Sequence, residues 1–214
     1  LTATYRDHME LEKAYNHALT ESGFNKQYRT VSELAKLQHN FHGRLNRRML
    51  EGARINPHLS GYCVHALCGG DWVLGAGLID IWRNPKGAVY TETAKANQER
   101  ILVMRANPRN LYSGEQINLE TFIVNELDNF SGNLIISLES VDGTKFWTKN
   151  ENIKVNHGIN ISNKIDIPSD ELIGKYFIKG LLKDNKGKII YESKIPANIY
   201  DSSSIDSKKN LYVL

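Results

Sequence analysis

An acidic residue and a large aromatic residue lie side by side in a glycine-rich loop, at Asp71 and Trp72. A carboxylate binds hydroxyl groups and an indole ring offers a flat apolar surface, so this pair could form one wall of a ligand pocket. Both residues also have ordinary structural uses, because a tryptophan can pack against a neighbouring loop and an aspartate can cap a turn. The sequence leaves both interpretations open.

Three side chains of metal-binding type precede this loop, at Cys63, His65 and Cys68. A structural zinc site uses four ligands, and a strand spreads its side chains apart, so three residues at this spacing do not predict zinc. We expect His65 to be buried and hydrogen-bonded, with a catalytic role as the alternative. His39 and His42 have no acid placed beside them and are expected on the protein surface. Because no phosphate loop or dinucleotide fingerprint occurs, we expect neither a metal nor a cofactor.

A short apolar segment, residues 61–67, leads into the acidic-aromatic loop. Its length and its bounding turn residues predict a buried parallel strand, and Pro57 stops any helix before it. Asn84 and Pro85 then predict the start of a helix over 85–97, with Asn84 as the N-cap. A strand, a loop and a helix in this order form the repeating unit of a βα barrel, whose active sites lie in the loops after the strands.

Two further helices are predicted nearer the start of the chain, over 5–22 and 31–54. The second should begin at a capping box formed by Thr30 and Glu33. Its apolar residues recur at spacings of three and four, which predicts a stripe that faces the protein core. This stripe consists of Leu34, Leu37, Phe41, Leu45 and Met49.

The composition changes near residues 98–100, after which Asn, Ile, Lys and Ser become common and apolar residues alternate with polar ones. Short strands separated by turn residues are predicted beyond this point. They cover 100–105, 117–125, 133–140, 145–148, 153–156, 159–167, 174–182 and 188–193. Such a series of strands without a helix signal is typical of an antiparallel sandwich of the immunoglobulin type.

Composition and charge exclude several classes of protein. With 41% hydrophobic and 24% charged residues, the chain has the make-up of a soluble globular protein. Its net charge of +3 and the lack of a dense basic run predict no nucleic-acid partner. No apolar segment approaches the ~18 residues of a membrane span, and no signal peptide is visible, so no membrane partner is expected and the compartment stays unknown. Because the chain starts at Leu1 rather than at methionine, we expect it to be a piece of a longer protein.

Four segments occur in an order that resembles a known enzyme family. They are YRDHMELEKAY (5–15), NPHLSGYCVHAL (56–67), GAGLIDIWRNPK (75–86) and KANQ (95–98). As a set they resemble the end of the catalytic barrel of glycoside hydrolase family 2, the group of β-galactosidases, β-glucuronidases and β-mannosidases. NLYSGEQINLETFIVNE (110–126) resembles the start of the sandwich domain that follows this barrel. The resemblance implies an α+β protein in two parts: 1–98 as the mostly helical C-terminal portion of a (β/α)8 barrel, and 99–214 as an antiparallel immunoglobulin-like β-sandwich.

The resemblance also implies a mechanism for the parent enzyme. Retaining glycosidases cleave β-glycosidic bonds with two carboxyl groups ~5–5.5 Å apart. In this family both are glutamates at the ends of earlier barrel strands, so we expect both upstream of this chain and expect the chain alone to be inactive. Glu21 in TESGF superficially resembles the motif around the family nucleophile, but it ends a helical segment. Asp71, Trp72 and His65 would then lie at the rim of the substrate site in the intact parent.

The expected partners are a carbohydrate substrate in the intact parent, and the missing upstream barrel and N-terminal domains. Because large apolar patches seldom stay exposed, the helices should pack on each other, on the sandwich, or on a second copy of the chain. The alternative function is a non-catalytic carbohydrate-binding or structural β-sandwich module. Aromatic residues exposed in a row on one sheet face would favour it. Phe146 and Trp147 are adjacent in one predicted strand and point to opposite faces, so they do not form such a row.

Overall fold

The computed structural model describes residues 3–68, 77–80 and 82–204. The chain divides into two compact units, Leu1–Gln98 and Glu99–Leu214. In the described residues, all α-helices belong to the first unit and all named strands belong to the second, which makes an α+β protein rich in sheet. The helices are α1 (Ala3–Glu21), α2 (Val31–Arg54) and α3 (Ala88–Ala96), and single 3-10 turns lie at Phe24–Lys26 and Ser202–Ser204.

Helix α2 begins at the predicted capping box. The Thr30 hydroxyl oxygen accepts the N–H of Glu33 at 3.3 Å. The Glu33 carboxylate accepts the N–H of Arg29 at 2.7 Å, one residue earlier than in the standard box. These bonds satisfy backbone donors at the helix end, and the buried side chains of Val31 and Leu19 pack together beside them.

The predicted core-facing stripe of α2 is wrong for most of its length. Four of its members are substantially exposed: Leu37 (51%), Phe41 (58%), Leu45 (39%) and Met49 (72%). The buried residues of α2 include Ala35, Gly43 and Leu50, on a different side of the helix. A Cβ added at Gly43 would lie 2.3 Å from the Ala88 carbonyl oxygen, so α3 packs where small residues let two backbones approach. Close backbone approach, rather than side-chain size, decides which side of α2 is buried here.

Residues 61–67 do not form the predicted buried strand. They have no regular secondary structure, and five of the seven are exposed. A parallel strand needs neighbouring strands to pair its backbone groups, and the described part of the first unit contains no named strand that could do so. Other contacts hold the segment instead: the Tyr62 hydroxyl donates to the Asn97 side chain, and Cys68 forms an isolated parallel bridge with Ile79.

The third helix begins later than predicted, and Asn84 is not its N-cap. Pro85 forms an isolated antiparallel bridge with Ile79, and the Lys86 N–H donates to the Leu78 carbonyl at 2.9 Å. Because these backbone groups are already engaged in a turn, helical residues start only at Ala88, after Gly87.

The described part of the second unit, residues 99–204, consists of two sheets. The strands are β1 (Arg100–Asn107), β2 (Asn110–Tyr112), β3 (Gln116–Asn125), β4 (Phe130–Ser140), β5 (Lys145–Val155), β6 (Gly158–Ile161), β7 (Ile165–Pro168), β8 (Gly174–Asp184) and β9 (Ile189–Tyr200). One sheet has the order β1-β3-β6, with β7 also paired to β3, and the other has the order β2-β9-β8-β4-β5. The sheets approach closely in the core, because a Cβ added at Gly180 of β8 would lie 2.6 Å from the Met104 sulfur of β1.

Several strand predictions need correction. The segments 145–148 and 153–156 belong to one continuous strand, β5, because β4 pairs with it along its length. The segment 159–167 is divided between β6 and β7, which pair with different parts of β3. The short strand β2 was not predicted, and it runs parallel to β9, so the described sheets are not wholly antiparallel.

Candidate functional site

The residues predicted at a substrate rim are only partly described. Asp71 and Trp72 lie outside the described residues. His65 is exposed in the irregular segment 61–67, so the expectation of a buried histidine in a strand is wrong. Cys63 is also exposed, whereas Cys68 is half-buried and its thiol donates to the Asp80 carbonyl at 3.3 Å. The segment before the acidic-aromatic loop is therefore anchored at its end, through Cys68.

The organising residue of the next segment is Asp80. Its carboxylate accepts the backbone N–H groups of Trp82 and Asn84, both at 2.8 Å, and the Asn84 side-chain amide at 3.2 Å. The Asp80 N–H donates back to the Asn84 carbonyl at 2.9 Å. This is the local turn that aspartate favours, and it accounts for the failure of Asn84 to cap a helix. Trp82, whose backbone N–H this carboxylate accepts, is 48% exposed.

A groove of about 430 Å³ lies between this turn and the first half of α2. Its polar lining comes from Ser32, Lys36, His39, Asn40, Asp80 and Lys86. Lys86 is only 4% exposed, whereas Lys36 is exposed and His39 is half-buried. The expectation that His39 lies on the surface is met only in part, because His39 is half-buried and lines this groove.

The groove offers ammonium, hydroxyl and amide groups to a polar ligand, but its described lining residues do not include a pair of carboxyl groups. Asp80 is its one carboxylate among the described lining residues, and that carboxylate already accepts three hydrogen bonds. Two-carboxylate hydrolysis needs a second acid across the bond that is cleaved. The described lining therefore fits a binding surface better than a hydrolytic centre.

The acids of α2 and α3 form a separate ionic cluster. Arg47 donates to Glu51 at 2.7 Å and to Glu92 at 3.0 Å, and all three side chains are mostly buried. Burial raises the pKa of the Glu51 carboxyl, while the charge and hydrogen bond of Arg47 act in the opposite direction. One arginine thus holds both carboxylates, which links the two helices. Glu21, whose sequence surroundings resemble the motif around the family nucleophile, is the exposed last residue of α1.

Sequence reasoning missed the groove because its residues come from separated segments. Lys36 carries no motif, and Asp80 and Lys86 belong to GAGLIDIWRNPK (75–86), which was interpreted as part of a family resemblance and as the approach to a helix. The available signal was Asp80 followed by Asn84, a spacing at which an aspartate can close a turn on backbone N–H groups. Within the described ranges, no group of three or more His, Cys, Asp and Glu side chains is arranged to hold a metal ion. In that same part of the chain, no helix is long and apolar enough to cross a membrane.

Solved structures of glycosidases share the fold of much of this chain. A β-D-mannosidase from Dictyoglomus thermophilum matches with a TM-score of 0.61 and 18% identity, over 74% of this chain and 19% of its own. An exo-chitosanase from Amycolatopsis orientalis, in complex with a β-D-glucosamine derivative, matches with a TM-score of 0.59 and 18% identity, over 79% of this chain and 20% of its own. A second structure of the same enzyme, described there as an exo-β-D-glucosaminidase studied with inhibitors, matches to the same extent.

These likenesses concern the fold, because the sequence identity is only 18%. The expected resemblance to glycoside hydrolases of family 2 is confirmed at that level. The chain spans about a fifth of the length of these three solved structures. No family model and no curated protein matches the chain.

Proposed function

We propose that this chain is the C-terminal part of a glycoside hydrolase that cleaves β-glycosidic bonds by a retaining two-glutamate mechanism. Residues 1–98 form the last portion of its (β/α)8 barrel, and residues 99–214 form an immunoglobulin-like sandwich. The observation that carries this proposal is the exposed apolar stripe of α2, which lies on a different side of the helix from the one packed on α3. The likeness in fold to the mannosidase and the exo-chitosanase supports it.

The stripe formed by Leu37, Phe41, Leu45 and Met49 repeats every four residues. Twelve residues at ~1.5 Å each make the stripe about 18 Å long. A single side chain is too short to cover it. The other side of α2 already packs on α3, through Gly43. A helix that is apolar on two sides lies between two layers, and a barrel helix does so because it contacts both its neighbouring helix and the barrel strands. The stripe is thus the surface for strands that precede α1 in the parent protein.

Catalysis would require glutamates from that preceding segment. Glu51 and Glu92 are held by Arg47, Glu33 accepts a backbone N–H at the start of α2, and Glu21 is exposed at the end of α1. None of these four is paired with a second carboxylate across an open site. Asp71, Trp72 and His65 are proposed as rim residues that contact substrate only in the intact parent. Without its upstream partner, the stripe would associate with a second copy of the chain.

The alternative, a carbohydrate-binding or structural sandwich, explains residues 99–214 but not the stripe. A self-sufficient module has no need for a helix with an uncovered apolar side. Phe146 and Trp147 do not mark a sugar-binding row either. Phe146 is 49% exposed and contacts the Tyr176 ring edge-to-face at 5.4 Å, whereas Trp147 is half-buried.

The test compares two proteins: this chain, and the same chain extended upstream along its gene. Both are assayed against aryl β-galactoside, β-glucuronide, β-mannoside and β-glucoside. We expect turnover only from the extended protein, and we expect a glutamine in place of either upstream glutamate to abolish it. Turnover by this chain above a heat-inactivated control, removed by Glu21→Gln or Asp71→Asn, would contradict the proposal. Glu12→Gln, at an exposed position of α1, is the matched control.

A further inference from the structure

Two tyrosines that are far apart in the sequence lie side by side on the second unit. Tyr112 ends β2 and Tyr200 ends β9, and the parallel pairing of these strands makes them direct partners. Their ring centroids are 6.5 Å apart and the rings are inclined by 61°. The two side chains remain 41% and 51% exposed. The pair therefore presents a broad aromatic corner to solvent.

Both tyrosines are fixed by their backbones. The Tyr112 N–H donates to the Glu115 carboxylate at 2.8 Å, and the Ser113 N–H donates to the Tyr200 carbonyl at 2.9 Å. The intervening side chains of Leu111 and Ile199 point the other way and are only 2% and 1% exposed, which anchors both strands in the core. An aromatic surface held in this way loses little conformational freedom when a ligand stacks on it.

Polar groups suited to hydroxyl ligands continue the surface. Asn110 and Asn198 form the next pair along the same two strands, and the side-chain Nδ2 of Asn198 donates to the side-chain Oδ1 of Asn110 at 2.8 Å. That bond leaves the Asn110 amide nitrogen as a donor and the Asn198 amide oxygen as an acceptor. Pro196, two residues further along the same face of β9, is exposed. Aromatic, amide and apolar groups thus follow one another over about 13 Å of strand.

We propose that this face, formed by Tyr112, Tyr200, Asn110, Asn198 and Pro196, binds a neutral β-1,4-linked oligosaccharide. The C–H face of a pyranose stacks on one tyrosine ring and abuts the other, and the amide pair exchanges hydrogen bonds with the hydroxyls of the next sugar. An extended sugar chain matches a row along a strand, whereas a compact ligand would need a pocket. The site is non-catalytic, and it does not depend on the glycosidase proposal.

The test uses the full chain and three probes: the β-1,4-linked hexasaccharides of glucose, mannose and N-acetylglucosamine. Binding is measured by calorimetry, and the contact residues are located from amide chemical-shift changes. We expect binding of at least one probe, with shifts concentrated at residues 110–112 and 196–200. Tyr112→Ala and Tyr200→Ala should each weaken binding about threefold to tenfold.

Two kinds of control separate binding from folding. Tyr90→Ala removes a tyrosine of the same 41% exposure from the first unit and should leave affinity unchanged. Tyr112→Phe and Tyr200→Phe keep the stacking ring and should retain affinity within about twofold. No binding of any of the three probes would overturn the proposal, as would binding that is insensitive to both alanine substitutions. Because the readout is binding alone, failure of the glycosidase assay would leave this result unaffected.

Discussion

For the substitution Gly43→Ala at the contact between α2 and α3, helix propensity predicts a more stable protein and packing predicts a less stable one. The sign of the measured change in stability therefore shows which effect is larger. Gly43 lies inside α2, where replacement of glycine by alanine ordinarily stabilises a helix by ~1 kcal/mol. The added Cβ would lie 2.3 Å from the Ala88 carbonyl oxygen and 2.9 Å from the Val89 nitrogen, against an ordinary contact of 3.4–4 Å. Both neighbours are backbone atoms, so neither can rotate away. The two helices would have to separate by about 1 Å.

We expect Gly43→Ala to lower the free energy of unfolding of the first unit by ~1–3 kcal/mol. Overpacking of this kind costs ~1–3 kcal/mol, and separation also lengthens the bonds that join the helices, each worth ~1 kcal/mol. Those bonds are Arg47 to Glu92 at 3.0 Å and Asn46 to Thr93 at 3.3 Å. Their loss exceeds the gain in helix propensity, so packing determines the sign.

The assay is urea unfolding followed by far-ultraviolet circular dichroism, because the described α-helices all lie in the first unit. Asn40→Ala is the matched control: it changes an exposed residue of the same helix and should stabilise by ~0.5 kcal/mol. If Gly43→Ala raises the unfolding midpoint as Asn40→Ala does, the close approach of α2 and α3 is refuted.

Three further predictions concern other parts of the chain. Asn125 is fully buried and its side chain makes four hydrogen bonds. Asn125→Ala should therefore lower the free energy of unfolding of the second unit by ~2–4 kcal/mol. Urea unfolding is followed by the fluorescence of Trp147, in a protein whose Trp72 and Trp82 are changed to Phe. The exposed stripe of α2 should cause self-association in analytical ultracentrifugation, and Phe41→Glu should reduce it; a strictly monomeric wild-type chain would contradict this. Burial raises the pKa of Glu51, so the folded state binds the carboxyl proton more tightly than the unfolded state does. Protonation of Glu51 therefore stabilises the folded state, and this stabilisation is lost as the pH rises through the pKa of Glu51 in the folded protein. The stability of Glu51→Gln relative to wild type should therefore improve from about pH 4 to pH 7, and a constant difference would count against it.

Local signals in the sequence were sufficient for some elements. Thr30 and Glu33 predicted the start of α2, because a capping box satisfies backbone donors within four residues and needs no distant partner. Alternation of apolar and polar residues predicted β3 and β8, because each has one face in the core, as the burial of Ile117 and Ile178 shows. The resemblance to glycosidases also came from contiguous motifs, and it holds at the level of fold.

Local signals failed where other residues, near or distant, engaged the same backbone groups. Asn84 and Pro85 have the composition of a helix start, but Asp80 and Ile79 engage their backbones first. Residues 61–67 have the composition of a strand, but a strand forms only where another strand accepts its hydrogen bonds. Composition describes what a segment can form, and pairing decides whether it does.

The sequence by itself determined the two-part character of the chain, the helices α1 and α2, most of the strands of the second unit and the family that the motifs resemble. The tertiary structure decided which side of α2 is buried, because the approach of Ala88 to Gly43 depends on two backbones 45 residues apart. It also placed Tyr112 beside Tyr200, through a parallel pairing of only three residues that no local pattern encodes. Side-chain type and spacing are properties of short segments, whereas burial and partnership depend on contacts between segments that the sequence does not place together.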